Sequence, residues 1–121
     1  NSLNATIGGL QTGQGNLISG NQHSGILFIN GASAGTIGFN RIGTDSLGNS
    51  AVPNVGGGIN ISNSSSGNFI ASNLVSGNGF DGVHVFNSAN TSIVDNYIGT
   101  NANGTVALPN GEDGISTNQA P

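Results

Sequence analysis

A chain of 121 residues with a single base, Arg41, five acids, 22 glycines and no cysteine carries a formal net charge of −4. One cation provides no basic footprint for nucleic acid or for an anionic membrane surface, and without cysteine neither disulfides nor thiolate metal sites can form. No apolar run is long enough to span a bilayer, and Ile, Val, Leu and Phe recur in short, regularly placed clusters, which argues against the disorder that low charge and abundant glycine otherwise suggest.

In chain order the elements read as one three-station pattern used four times. The first station is an isolated Ile: Ile7, Ile37, Ile70 and Ile93. The second is Asn-x-aliphatic: Asn16-Leu17-Ile18, Asn40-Arg41-Ile42, Asn73-Leu74-Val75 and Asn96-Tyr97-Ile98. The third is Gly followed by alternating apolar residues: Gly25-Ile26-Leu27-Phe28, Gly58-Ile59-Asn60-Ile61, Gly82-Val83-His84-Val85 and a weaker Gly114-Ile115-Ser116-Thr117. Three of the Ile residues stand three positions before their Asn, whereas Ile7 and Asn16 are separated by six further residues within 8–15. From each Asn to the next marker Gly the gaps are 9, 18, 9 and 18. A minimal turn is thus about 24 residues, and alternate turns carry a nine-residue insertion at one corner. The inserted corners match, Ile42-Gly43-Thr44-Asp45 through Pro53-Asn54 against Ile98-Gly99-Thr100-Asn101 through Pro109-Asn110. The short corners match as Ser19-Gly20-Asn21 and Ser76-Gly77-Asn78.

Bursts of two to five apolar residues with period two, bounded by Gly, Asn and Ser, are short strands and turns rather than helices. A three-strand turn cannot bury its inner face alone. Stacked turns can, because parallel strands pair at about 4.8 Å and inward residues align in columns. The predicted fold is all-β, a right-handed parallel β-helix of about four coils with three short strands each. Residues 1–121 form a single β-solenoid segment. Ile26, Ile59, Val83 and Ile115 are expected in one column, and Ile18, Ile42, Val75 and Ile98 in another. Asn16, Asn40, Asn73 and Asn96 are expected to form a ladder at a corner whose backbone takes positive φ, which Asn and Gly tolerate.

The phrases Asn16-Leu17-Ile18-Ser19-Gly20-Asn21, Ile42-Gly43-Thr44-Asp45, Pro53-Asn54 and Thr6-Ile7-Gly8-Gly9 resemble the parallel β-helix repeats of large bacterial surface and secreted proteins, of the pectate-lyase-like type. The resemblance covers nearly the whole chain. It implies the fold and an extracellular or cell-surface location. It leaves activity open, because the fold serves pectin-degrading enzymes, adhesins and tailspikes alike. Polygalacturonase motifs and the basic catalytic patch of pectate lyases are both missing from this sequence.

One constellation suggests chemistry. Asp81 and Asp113 each precede a marker glycine in adjacent turns, and stacking would bring them to about 5 Å, a separation that suits a retaining glycosidase pair or calcium. Asp-Gly is also a common turn sequence, and that reading is preferred. His23 and His84 fall in different columns and are read as surface residues. Arg41 is expected to face solvent, where it could pair with an acid. Asp45 has Asn101 as its counterpart in the other insertion, so no charge is required there. Phe28 is read as core; Phe86 and Tyr97 are read as outward. Asn4, Asn60, Asn63, Asn90 and Asn103 head chance sequons.

No catalytic, cofactor or metal residue is therefore assigned, and the chain is read as a non-enzyme. The expected function is a structural module of an extracellular fibre, stalk or adhesin, continuing end to end into copies of itself or similar repeats. The alternative is a polysaccharide-binding or polysaccharide-degrading module. Joining Asn118-Gln119-Ala120-Pro121 to Asn1-Ser2-Leu3 gives 13 steps from Ile115 to Ile7, against 11, 11 and 10 for the same interval inside the chain. A secretion signal would lie outside this stretch.

Overall fold

The computed structural model describes residues 3–118. Twelve strands wind through four coils: β1 (Thr6–Gly8), β2 (Leu17–Ile18) and β3 (Ile26–Phe28); β4 (Thr36–Gly38), β5 (Arg41–Ile42) and β6 (Ile59–Ser62); β7 (Phe69–Ala71), β8 (Leu74–Val75) and β9 (Val83–Phe86); β10 (Ser92–Val94), β11 (Tyr97–Ile98) and β12 (Ile115–Asn118). Each strand pairs in parallel with its counterpart one coil away. Three four-stranded sheets result, ordered β1-β4-β7-β10, β2-β5-β8-β11 and β3-β6-β9-β12. The chain is a right-handed parallel β-helix. The connecting segments make the crossover that parallel strands demand, in the hand that the twist of the strands favours.

Register follows the sequence columns. Ile26, Ile59, Val83 and Ile115 stand opposite one another, as do Ile18, Ile42, Val75 and Ile98, and Ile7, Ile37, Ile70 and Ile93. A one-residue slip would turn every aliphatic outward, so burial of one face fixes this register. The core consists of ten buried side chains, Phe28 and nine Ile or Val residues. Burial is graded along the axis. Ile37, Ile42, Ile70 and Val75 in the middle coils are fully buried, while Ile7, Ile18, Ile93 and Ile98 are only partly covered. Ile115 is 46% exposed, since no described coil covers β12.

The Asn ladder forms as expected. Asn16, Asn40 and Asn73 each donate a side-chain hydrogen bond to Oδ1 of the next Asn, at 3.3, 3.1 and 3.0 Å. Each of those Oδ1 atoms also receives the main-chain N–H of the preceding ladder residue, at 2.8–2.9 Å. The amides reach back as well: Asn40, Asn73 and Asn96 donate to the carbonyls of Ile7, Ile37 and Ile70. The reason given above for Asn at this corner needs correction. The ladder residues do not have positive φ; the residues before three of the four do, Phe39 at 60°, Ser72 at 61° and Asp95 at 54°. Asn is selected for its amide, and the neighbouring residue carries the left-handed strain.

The marker glycines have a steric cause. A Cβ at Gly58 would lie 2.4 Å from the Gly82 carbonyl oxygen and 2.7 Å from a Val75 methyl. A Cβ at Gly82 would lie 2.6 Å from the Gly114 carbonyl oxygen. Successive coils pass too closely at this column for any side chain.

The inserted corners, residues 43–53 and 99–109, fold back on themselves through the antiparallel bridges Thr44–Ala51 and Thr100–Ala107. They also touch each other: Ala102 donates its N–H to the Gly48 carbonyl at 2.9 Å, and Gly48 sits over Leu74. The proposed junction between residues 118–121 and 1–3 falls almost wholly outside the described residues.

Candidate functional site

Two outward surfaces gather chemistry. The first is the face of the third sheet. Asn60, His84 and Ser116 occupy one outward column there, opposite one another in register. His84 Nδ1 lies 3.2 Å from Asp81 Oδ2, and its ring stacks on Phe86 with the planes 9° apart. The other Asp81 oxygen accepts the Asp113 main-chain N–H at 3.0 Å. Ser24, Asn60 and Glu112 join Asp81 and His84 around a shallow depression of about 210 Å³. Asn60 Oδ1 is buried with no hydrogen-bond partner.

This arrangement is that of an Asp-Gly turn bonded to the next coil. The two residues are adjacent in the stack, but the contact runs from the carboxylate of one to the backbone of the other, and the Asp113 side chain is exposed. Asp81 closes the Asp-Gly turn onto the next coil and orients His84. The i,i+3 spacing of Asp81 and His84 is visible in the sequence, where His84 reads only as an outward surface residue. No group of three or more metal-ligating side chains occurs among the described residues. His23 is exposed.

The second surface is a groove of about 720 Å³ along the outside of the second sheet. Its floor is the outward column Leu17, Arg41, Leu74 and Tyr97, which stand opposite one another in β2, β5, β8 and β11. One wall is the left-handed corner of Phe39, Ser72 and Asp95, and Ser46 and Ala102 of the two insertions form the other. Thr12, Gly13 and Gly15 of the extra loop in coil 1 contribute at one end. Arg41 is exposed, as expected, but it donates to the Ser46 main-chain carbonyl rather than pairing with an acid. Tyr97 is 50% exposed.

Asp45 lies in the first insertion, where its Oδ1 accepts the N–H groups of Asn49 and Ser50 at 2.9 and 3.4 Å. Chiefly through the Asn49 N–H, these bonds hold its carboxyl below the usual aspartate value. Asn101 closes the second insertion in the same way, accepting from Thr105 and Val106 at 3.0 and 3.3 Å. The two residues are interchangeable turn closers, as their matched positions suggested.

A second polar ladder escaped the sequence reading. Asn21, Asn54 and Asn78 donate side-chain bonds to the next Asn in the series, ending at Asn110, at 2.8, 3.0 and 3.0 Å. Each stands four residues before a marker glycine, a constant spacing that was present in the sequence. The unequal corner lengths obscure it, because the constant spacing runs back from the marker glycine and not forward from the preceding strand.

No family model, no curated protein and no solved structure matches the chain.

Proposed function

We propose that this chain is a structural β-solenoid module of an extracellular or cell-surface fibre, stalk or adhesin, of the pectate-lyase-like type, stacking end to end with further coils of the same pattern. The observation that carries this reading is the form of the two Asn ladders. Every rung donates in the same direction along the axis, from Asn16 toward Asn96 and from Asn21 toward Asn110. Among the described residues, Oδ1 of Asn16 and of Asn21 receives no hydrogen bond, and the main-chain N–H of Asn96 and of Asn110 donates none. One end of the stack thus presents acceptors and the other donors, with the corners in the same register. A neighbouring coil of like sequence would satisfy both and cover Ile115. Open strand edges and the half-exposed Ile115 at the end of the stack favour such pairing.

The test is electron microscopy of the native material, alongside the purified chain at rising concentration. Unbranched rods one solenoid wide, lengthening with concentration or already present in the native sample, are expected. A compact monomer at every concentration and in the native sample would overturn the proposal. So would robust release of reducing sugar from polysaccharides that is lost on Asp81→Asn, because the chain would then be an enzyme.

A further inference from the structure

We infer that each inserted corner is a clasp for the pair of coils that follows it, and that its partner at the open end of the stack is a second copy of this chain, with Gly104 of one copy seated on Leu17 of the next. This rests on the end-to-end stacking proposed above and adds the side contact that sets its phase.

The clasp is complete once within the chain. The two insertions leave the solenoid two coils apart, about 9.6 Å at the strand spacing. They meet because the first leans over coil 3. A Cβ at Gly48 would lie 2.8 Å from a Leu74 methyl and 2.7 Å from the Ala102 Cβ, and the Ala102 N–H reaches the Gly48 carbonyl at 2.9 Å. Leu74 stands in an outward column yet is only 6% exposed, because this corner covers it.

The counterpart groups at the two ends are open. Leu17 holds the same place as Leu74, first in the two-residue strand of a short-cornered coil, and it is 50% exposed. In the matched insertions Gly104 corresponds to Gly48, and Ser46 to Ala102. Among the described residues, the Gly104 carbonyl accepts no hydrogen bond and the Ser46 N–H donates none. A short-cornered coil after coil 4 would bring a leucine under Gly104, and an inserted coil after that would bring an N–H to the Gly104 carbonyl. Coils 1 and 2 of this chain supply both in that order, as Leu17 and Ser46. The polarity agrees with the Asn ladders, which also need coil 4 of one copy to face coil 1 of the next. A copy displaced by one coil fails, because an inserted corner would stand directly on coil 4 where a short one must lie.

The chain has no cysteine, so one introduced thiol is a clean reporter. The test is maleimide labelling of Leu17→Cys in monomer and in rods, with Leu27→Cys, at a half-exposed position on the outer face of the third sheet, as the control. On passing from monomer to rods, labelling of Leu17→Cys is expected to slow at least tenfold, and that of Leu27→Cys by less than about twofold. Hydrogen exchange of the unsubstituted chain is the second measurement and carries the test if Leu17→Cys fails to fold or assemble. The Ser46 amide should be fast in the monomer and slow in rods, and the Ala102 amide slow in both. Rods in which Leu17→Cys and the Ser46 amide stay as open as in the monomer would overturn this inference and leave stacking standing. Absence of rods at every concentration would overturn stacking and this inference with it. Protection of Leu17→Cys that requires a cell lysate rather than more of the chain would place a different partner on Leu17 and overturn the inference.

Discussion

At the residue scale, the amides of the ladder matter more than the few charges. Asn73 is buried and bonded to three neighbours: it receives the Asn40 N–H, donates to the Ile37 carbonyl and donates to Asn96 Oδ1. Asn73→Ala leaves buried groups unpaired at about 1–3 kcal/mol each, so a clear fall in melting temperature is expected. Asp45→Asn should leave the melting temperature at neutral pH nearly unchanged, because Asn101 already makes the same turn with an amide. Thermal scans of both variants settle the order, and the opposite ranking would contradict this view of the corners. A pH dependence follows from Asp45. Its carboxyl is held low in the folded state, so its contribution is fully present above the ordinary aspartate value of 3.8 and is lost as the pH falls through the lower folded value. In Asp45→Asn that acid-dependent part disappears, which comparison of the two melting curves at pH 3 and pH 6 would detect. Screening at this exposed site keeps the effect small.

At the element scale, stability belongs to columns rather than to strands. Strands of two to four residues have no independent stability, and each exists because the coils above and below cover its inward side chain. Ile70 is fully buried, and truncating it to Ala is expected to destabilise by about 2–5 kcal/mol. Ile93, the next residue in the same column, is only partly covered, and Ile93→Ala should cost clearly less by denaturant titration. Equal costs would show that the end coils are packed as tightly as the middle ones. Gly58→Ala should destabilise by about 1–3 kcal/mol, because a Cβ there has no space between coils. These columns were legible in the sequence, since Ile59 and Val83 announce themselves by period and by the glycine before them. The groove was not legible. It depends on the insertions folding across the second sheet, and loop paths are set by contacts such as Ala102 to Gly48 that no local pattern encodes. Asp81 and His84 were in view, but the direction of the Asp81 carboxylate toward the Asp113 backbone depends on stacking geometry.

At the scale of the whole molecule, a stack in which coils touch only their neighbours behaves as a one-dimensional chain of units. Local opening should therefore begin at the outer coils. Amide hydrogen exchange is expected to be slowest in β4 to β9 and faster in β1, β2, β11 and β12, following the burial of Ile37, Ile42, Ile70 and Val75 against that of Ile7, Ile18, Ile98 and Ile115. Uniform protection in the isolated chain would contradict the graded core. If coils stack end to end, the difference should narrow as the concentration rises, because the outer coils then acquire neighbours.

The matched insertions occur only on the second and fourth coils. The smallest true period of the pattern is thus a pair of coils, although the strands repeat at every coil. In an oriented fibre of such chains, X-ray scattering along the axis would show the familiar reflection near 4.8 Å from the strand spacing. The alternation of bare and looped corners would add a weaker reflection at about twice that distance, roughly 9.6 Å. The relative intensity of the two lines would report how much of the fibre's mass lies in its side loops.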